Sequence, residues 1–234
     1  MYKRQVLCLD DPGVREVSKD CQCPKIYYSV KRQDGDYTVR NISFAAGNTQ
    51  ADVYENNQFL GTLSLQVPGE HNVSNALGVI AAARWAGLNF PEIAAALETF
   101  SGAGRRFELL GEVRGSRVVD DYGHHPTEIA ATLKAARQIC KGRVICVFQP
   151  HRYTRTALLH ERFGEAFGDA QEIIVTEIYS AEETPMEGIS AKLIVEAIEK
   201  HEQRPVTYLP TLEAVSYTHL DVYKRQIPGG SLCK

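Results

Sequence analysis

The chain has 234 residues, of which 44% are hydrophobic and 24% charged, so it can bury a core and is not expected to be disordered. Lysine and arginine number 26 against 29 aspartate and glutamate, a net charge of −3, which argues against nucleic acid or a membrane surface as the main partner. No apolar run reaches the length of a membrane span, and no signal-peptide pattern opens the chain. The six cysteines are therefore expected to be reduced thiols of a cytoplasmic protein.

The first part of the chain, to about residue 107, combines short strands with two helices. Residues 26–67 are rich in Tyr, Val, Thr and Asn with polar breaks, which predicts an antiparallel meander with a hairpin at Asn56-Asn57. The apolar period then changes to that of a helix. In chain order we predict a strand over 6–9 ending at the turn signal Asp10-Asp11-Pro12-Gly13, the meander over 26–67, and helices over 72–85 and 92–100.

The second part alternates strands and helices, after the flexible joint Ser101-Gly102-Ala103-Gly104. The predicted strands cover residues 117–120, 143–148, 172–176 and 206–209, and the predicted helices cover 126–139, 156–167 and 190–200. This order predicts an open parallel sheet with helices on both faces. Ligands bind such sheets outside the carboxyl ends of the strands, where the polar motifs of this chain follow.

The strongest chemical signal is the segment Asp120-Asp121-Tyr122-Gly123-His124-His125-Pro126, between a predicted strand and a predicted helix. Its two carboxylates and two imidazoles suit ribose hydroxyls, a metal ion or the orientation of a proton. The alternative is a capped turn, because Asp and His are common near helix starts and proline favours the first helical turn. Four such residues are more than a cap needs, so the sequence favours a functional site.

The second signal is the segment Gln149-Pro150-His151-Arg152-Tyr153-Thr154-Arg155-Thr156, which follows the next predicted strand. Arg152 and Arg155 are three residues apart and share one face if the turn is helical, where two guanidiniums make an anion clamp. A solvated basic turn is the alternative. The position at the carboxyl edge of the predicted sheet favours the clamp.

Two weaker signals lie in the first part of the chain. His71 and Asn75 share a face at a predicted helix start, where Asn72 or Asn75 could read an adenine edge, or Asn72 or Ser74 could cap the helix. Arg105-Arg106 is by itself more typical of a solvated pair than of a phosphate site. The chain contains no G-x-x-x-x-G-K-[ST] and no G-x-S-x-G segment, so a bound nucleotide would lack the usual phosphate cradle.

Four segments together, GEHNVSNAL, SGAGRRFE, VDDYGHHPTEI and FQPHRYTRT, resemble the Mur ligase family in their order and spacing. The resemblance runs from about Val6 to Val215 and is strongest to the branch that joins L-alanine to UDP-N-acetylmuramate. It implies an α/β fold, with the C-terminal part of a P-loop ATPase-type central domain over residues 6–108 and a Rossmann-like parallel-sheet domain over 109–215. It also implies ATP- and Mg²⁺-dependent amide formation through an acyl phosphate, in peptidoglycan biosynthesis.

The resemblance also assigns site residues by motif match. Those implied for the nucleotide are His71, Asn72 and Asn75 near adenine, Asp121 at the ribose, and Arg105 and Arg106 at the phosphates. Those implied for L-alanine and the reacting carboxylate are Tyr122, His124, Arg152 and Arg155. The residues implied to act in catalysis are Arg106, His124, Arg152 and Arg155, because charge builds on phosphoryl and acyl oxygens. No metal ligand is assigned within the chain.

The chain departs from the family pattern at both ends. The P-loop lysine, the magnesium ligands and the UDP-binding domain have no counterpart, so the chain alone is expected to be inactive. Tyr2-Lys3-Arg4-Gln5 recurs as Tyr223-Lys224-Arg225-Gln226, and the resemblance stops at each copy. We interpret residues 1–5 and 216–234 as translated vector or adapter sequence, with a genuine terminal repeat as the alternative.

Three other functions stay open at this point. The tripeptide-recycling ligase of the same family shares much of the pattern. A metal-dependent hydrolase could use Asp120, Asp121, His124 and His125. A non-catalytic module that binds a nucleotide or peptide could be built on the same parallel sheet.

Overall fold

The computed structural model describes residues 4–45 and 48–215, which fall into two compact units. The first unit runs to Tyr122 and includes residues 134–141, and the second contains residues 123–133 and everything from Gly142 onward. Within the described residues, every helix is too short or too polar to cross a bilayer. Residues 216–234 and 1–3, on which most of the predicted foreign sequence falls, lie outside the description.

The first unit is built on a five-stranded sheet whose order in space follows the chain. Its strands are β1 (Gln5–Cys8), β2 (Lys25–Ser29), β3 (Tyr37–Ala45), β4 (Asn48–Glu55) and β5 (Gln58–Leu65). Between β1 and β2 lie helix α1 (Pro12–Val17) and a 3₁₀ turn over Ser18–Asp20. The predicted turn at residues 10–13 is therefore only half right, because Asp11 accepts a hydrogen bond from Val14 N and caps a helix that Pro12 opens.

The prediction of an antiparallel meander over residues 26–67 is wrong for β2, which runs parallel to both β1 and β3. The connection from β1 contains helix α1, so it is long enough for a parallel crossover. The overlap of β2 with β3 is confined to Tyr28 with Tyr37 and Ser29 with Thr38, so the short segment 30–36 suffices to return the chain. Strands β3, β4 and β5 are antiparallel, as predicted.

The predicted hairpin at Asn56-Asn57 is confirmed. Glu55 pairs with Gln58, and both asparagines have positive φ, 48° and 64°. Two successive residues with positive φ define the type I′ turn, which asparagine tolerates better than most residues.

Two helices pack on this sheet, α2 (Glu70–Trp85) and α3 (Phe90–Glu98). The apolar period that predicts α2 is the one that is buried, since Val73, Leu77 and Ile80 are fully inaccessible to solvent. Helix α3 begins with a capping box, in which Asn89 and Glu92 each accept from the other's backbone N–H. Both helices are confirmed, and each begins two residues before its predicted start.

The strand predicted over 117–120 is present as β7 (Ser116–Asp120), but its predicted place in the parallel sheet is wrong. It pairs antiparallel with β6 (Glu108–Val113), a strand that the sequence analysis missed. The connecting residues Arg114 and Gly115 both have positive φ, so a tight two-residue turn returns the chain before it can form a crossover.

The second unit has a three-stranded parallel sheet in the order β10-β9-β8, with β8 (Ile145–Phe148), β9 (Glu172–Val175) and β10 (Thr207–Tyr208). Helix α4 (Pro126–Ile139), whose residues 126–133 belong to this unit, precedes the sheet. Helix α5 (Tyr153–Phe163) joins β8 to β9, and α6 (Lys192–Glu202) joins β9 to β10. Central strand β9 buries Ile173, Ile174 and Val175, as its continuous apolar run predicts. The alternation of strand and helix from residue 126 onward is thus confirmed.

Candidate functional site

His124 and His125 differ in role: His125 helps to cap helix α4, whereas the ring of His124 contacts other side chains. Glu128 Oε2 accepts hydrogen bonds from His124 N (3.0 Å) and His125 N (3.1 Å), and His125 Nδ1 accepts from Thr127 N (3.2 Å). The bond from His125 N to Glu128 is one half of a capping box at the start of α4, while the His125 ring accepts from the second helical residue, not the third. The capped-turn interpretation therefore holds for His125, while the ring of His124 is directed to other partners.

The ring of His124 lies beside that of His151, with centroids 5.7 Å apart, and His151 lies beside Tyr179 at 5.5 Å. His124 Nδ1 is also 3.9 Å from Glu128 Oε2, so the same carboxylate that caps α4 faces this ring. The three rings bring the ends of two neighbouring strands together with the start of α4. His151 stands in the second predicted segment but was not itself predicted as a site residue, and Tyr179 lies outside every predicted segment.

Backbone pairing fixes the position of Arg152. A parallel bridge joins His151 to Tyr179 beyond the ends of β8 and β9, and Arg152 N donates to Tyr179 O at 2.9 Å. Helix α5 begins at the next residue, so the chain turns abruptly and Arg152 adopts φ 75°. A non-glycine residue in this region costs of order 1–3 kcal/mol, and such strain is concentrated at functional sites.

Arg155 is anchored one helical turn further on. Its Nη1 donates to His151 O at 3.0 Å and lies 3.1 Å from His151 Nδ1. Arginine can only donate, so Nδ1 must accept and the ring proton must sit on Nε2. The pKa of His151 is lowered by burial first and then by the nearby charges of Arg155, His124 and Arg152, which agrees with a neutral ring.

Glu183 organises the start of α5 from a distant loop, and the sequence analysis missed it. Its carboxylate accepts from Thr154 N at 3.0 Å and Thr154 Oγ1 at 2.6 Å, and lies 3.7 Å from Arg152 Nη1. The hydrogen bonds from Thr154, and then the charge of Arg152, lower the pKa of Glu183. No local pattern marks this residue, because it caps a helix that begins 30 positions earlier.

In the first unit, the carboxylates before Tyr122 secure the hairpin β6–β7. Asp120 Oδ2 accepts from Arg105 Nε at 3.1 Å, and Asp121 Oδ2 accepts from Phe107 N at 2.9 Å. Arg105 Cζ lies 4.7 Å from the centre of the Tyr122 ring, in a cation–π contact, and Tyr122 N donates to Arg105 O at 2.7 Å. Arg105 is thus held in place, and both Arg105 and Arg106 are solvent-exposed.

The other predicted nucleotide residues lie at the start of α2. Gly69 precedes this helix with φ 102°, and a Cβ there would come within 2.7 Å of His71 Cε1, so glycine is required. Neither Asn72 nor Ser74 caps the helix; Asn72 Nδ2 instead donates to Pro68 O at 2.7 Å. Asn75 is exposed, and burial lowers the pKa of His71.

The predicted residues therefore form local groups. The second unit brings together His124, His151, Arg152, Arg155 and Glu183, and the first unit holds one group around Arg105 and Asp121 and another at the start of α2. Across residues 4–45 and 48–215, no three His, Cys, Asp or Glu side chains are placed to hold a metal ion.

Comparison of the sequence with models of known families shows which family the chain belongs to. Residues 2–83 match the Mur ligase middle domain, and residues 105–226 match the family described as Mur ligase, glutamate ligase domain. The chain belongs to the Mur ligase family. The resemblance carried by the four motifs is thereby confirmed, and so is the fold class inferred from it.

Individual relatives agree with this assignment. The chain is 57% identical, over 210 residues, to a protein of Pelotomaculum thermopropionicum named UDP-N-acetylmuramate–L-alanine ligase; these residues are 90% of this chain and 46% of that protein. A crystal structure of a UDP-N-acetylmuramate–alanine ligase from Thermotoga maritima is 30% identical with a TM-score of 0.67, covering 82% of this chain and 41% of that one.

A structure of MurF from Acinetobacter baumannii shares the fold at 16% identity, with a TM-score of 0.73 and 97% of this chain covered against 47% of its own. The chain spans about half the length of the curated relatives it matches.

Proposed function

We propose that the chain is the part of a UDP-N-acetylmuramate–L-alanine ligase that binds the amino acid and part of the nucleotide. The observation that carries this proposal is the anchored pair of arginines at the start of α5, with Arg155 held by His151 and Arg152 facing Glu183. An amino-acid substrate presents a carboxylate, which a planar guanidinium binds with two parallel hydrogen bonds. The 57% identity to a relative of that name supports the same substrate.

In this proposal each anchored side chain has a separate task. Arg155 uses Nη1 on His151, and its remaining nitrogens bind the carboxylate of L-alanine. Arg152 offsets negative charge on the reacting acyl group, and Glu183, 3.7 Å from Nη1, helps to orient its guanidinium. Neutral His151 adds no charge of its own, so the two guanidiniums and the Glu183 carboxylate set the electrostatic potential at this site.

ATP would supply the phosphoryl group that activates the muramyl carboxylate. The exposed guanidinium of Arg106 fits its phosphates, and the exposed amide of Asn75, with Asn72 and His71 beside it, fits the adenine edge. Asp121, fixed by the Phe107 N–H, fits the ribose hydroxyls. We assign no step to Mg²⁺, because the described residues offer no cluster of ligands for it, and we place its ligands elsewhere in the ligase.

We further propose that the ligase acts in the cytoplasm, within peptidoglycan biosynthesis, which the expected reduced state of its cysteines supports.

A chimaeric enzyme tests the proposal. The 210 aligned residues of this chain replace their counterparts in the Pelotomaculum protein, and phosphate release is measured with ATP, UDP-N-acetylmuramate and L-alanine. We expect release that depends on all three. Arg155→Lys keeps the charge but loses the fork that contacts His151, so the KM for L-alanine should rise about tenfold, while Arg162→Lys on the exposed face of the same helix should leave it unchanged.

The alternatives give different outcomes in the same assay. A chimaera that uses a free tripeptide in preference to L-alanine would identify the recycling ligase. Phosphate release that is independent of any amino acid, or an Arg155→Lys variant with an unchanged KM for L-alanine, would contradict the assignment of the pocket.

A further inference from the structure

The thiols of Cys21 and Cys23 are in contact, far in sequence from Arg152 and Arg155. Cys21 Sγ and Cys23 Sγ are 2.7 Å apart, at the entry to β2. Cys21 is extended, with φ −79° and ψ 122°, so residues 21 and 23 point to the same side while Gln22 points to solvent. Both cysteines are partly exposed, so a small reagent can reach them.

The backbone around the two thiols is held on both sides. Cys21 N donates to Ser18 O, and Lys25 Nζ donates to Cys21 O at 2.5 Å. Pro24 O accepts from Gln5 N, which ties the segment to strand β1. The thiols are therefore kept close by the fold and do not meet by chance.

A structural metal site is a poor explanation for this pair. Structural zinc takes four ligands, and the described residues contain no group of three or more His, Cys, Asp or Glu side chains around a common point. A structural staple is also a poor explanation, because a disulfide that closes so short a loop removes little entropy from the unfolded chain. Reversible chemistry remains as the use that suits a short, exposed and strained ring.

We propose that Cys21 and Cys23 form a redox site that a low-molecular-weight disulfide oxidises reversibly to an intramolecular disulfide. The Cys21 thiolate attacks one sulfur of the oxidant, forms a mixed disulfide and releases one thiolate. Cys23 loses its proton to solvent and attacks Cys21 Sγ, which closes the Cys21–Cys23 bond and releases the second thiolate. Two protein thiols are oxidised, and one disulfide is reduced to two thiols.

The two cysteines differ in the way that these roles require. The hydrogen bond from Cys23, with a smaller effect from Lys25, lowers the pKa of Cys21. The same contact raises the pKa of Cys23. Cys21, whose backbone O is contacted by the Lys25 ammonium, is thus the attacking thiol and Cys23 the resolving one.

The whole chain is incubated in mixtures of oxidised and reduced glutathione, alkylated and digested with trypsin. The tryptic peptide Asp20–Lys25 contains Cys21 and Cys23 and no other cysteine. As the proportion of oxidised glutathione rises, we expect the doubly alkylated peptide to be replaced by an unalkylated peptide two hydrogen atoms lighter than the free dithiol. The doubly alkylated peptide should return in excess reduced glutathione. Cys23→Ser should instead accumulate a glutathione adduct on Cys21, and Cys21→Ser should react about tenfold more slowly.

Two results would overturn the proposal. One is a wild-type peptide that carries two separate glutathione adducts and no internal bond. The other is a peptide that stays reduced in mixtures that modify Cys21 in the Cys23→Ser variant. Circular dichroism of each variant confirms that a serine has not unfolded the first unit.

Discussion

Protonation of His151 makes the contacts around Arg155 depend on pH. Its Nδ1 accepts from Arg155 only while the ring is neutral, and burial together with the surrounding cations lowers its pKa. The folded chain therefore binds a proton at His151 less readily than the unfolded chain does. Stability from this residue is fully present above the ordinary histidine pKa of about 6.5 and is lost as the pH falls through the lower folded pKa.

We expect the urea midpoint to fall as the pH is lowered from about 7 to about 5, and His151→Gln, which does not titrate, to remove part of that slope. His71, whose pKa burial also lowers, contributes with the same sign and keeps the remainder in the variant. Proton NMR of the His151 ring measures the titration directly. A His151 ring that titrates at or above the ordinary range would contradict the tautomer assigned here.

At the scale of elements, the start of α4 offers a test of the capping box. Glu128 accepts from two backbone N–H groups, so Glu128→Ala should cost about 1 kcal/mol of unfolding free energy, whereas Glu128→Gln retains an acceptor and should lose less than half of that. Glu161→Ala, on an exposed position of α5, is the matched control. Urea unfolding of the three variants gives the comparison, and equal losses for Ala and Gln would contradict the cap.

Local chemistry made most elements predictable. Asn56-Asn57 encodes its own turn, and the burial of Leu77 and Ile80 follows directly from their spacing. The orientation of β2 was not predictable in this way, because a period of two identifies a strand without its direction. Likewise, the residues of β7 do not show whether it pairs with β6 or with a parallel strand. The turn at Arg114-Gly115 decides this, because it brings the chain back alongside β6.

The candidate site was predictable to the same degree. Arg152, Arg155 and His124 could be predicted because each lies in a segment rich in charged and polar residues that follows a predicted strand. Tyr179 and Glu183 act across the fold, through a ring contact and a cap on a distant helix, and nothing in their neighbours signals this. Residues whose partners are remote in sequence are found only when the strands that carry them are placed side by side.

At the scale of the whole molecule, each unit has a core of its own. Leu77 is fully buried in the first unit and Ile194 in the second, so truncation of either to alanine should cost about 2–5 kcal/mol. The single tryptophan, Trp85, lies in α2 of the first unit. Leu77→Ala should lower the unfolding midpoint measured by Trp85 fluorescence. Ile194→Ala should leave that midpoint unchanged and lower the midpoint of a second transition, seen by circular dichroism, in which the second unit unfolds.

Equal shifts of both probes by both variants would mean that the two units unfold as one.

The hairpin β6–β7 is closed at its base, where Tyr122 N meets Arg105 O, and its tip at Arg114-Gly115 lies at the opposite end of the ladder. Exposed tips of this kind accept inserted residues, because an insertion there breaks no buried hydrogen bond. The tip is thus a permissive site at which an epitope or a fluorophore can be carried while Arg105, Asp121 and Tyr122 keep their places.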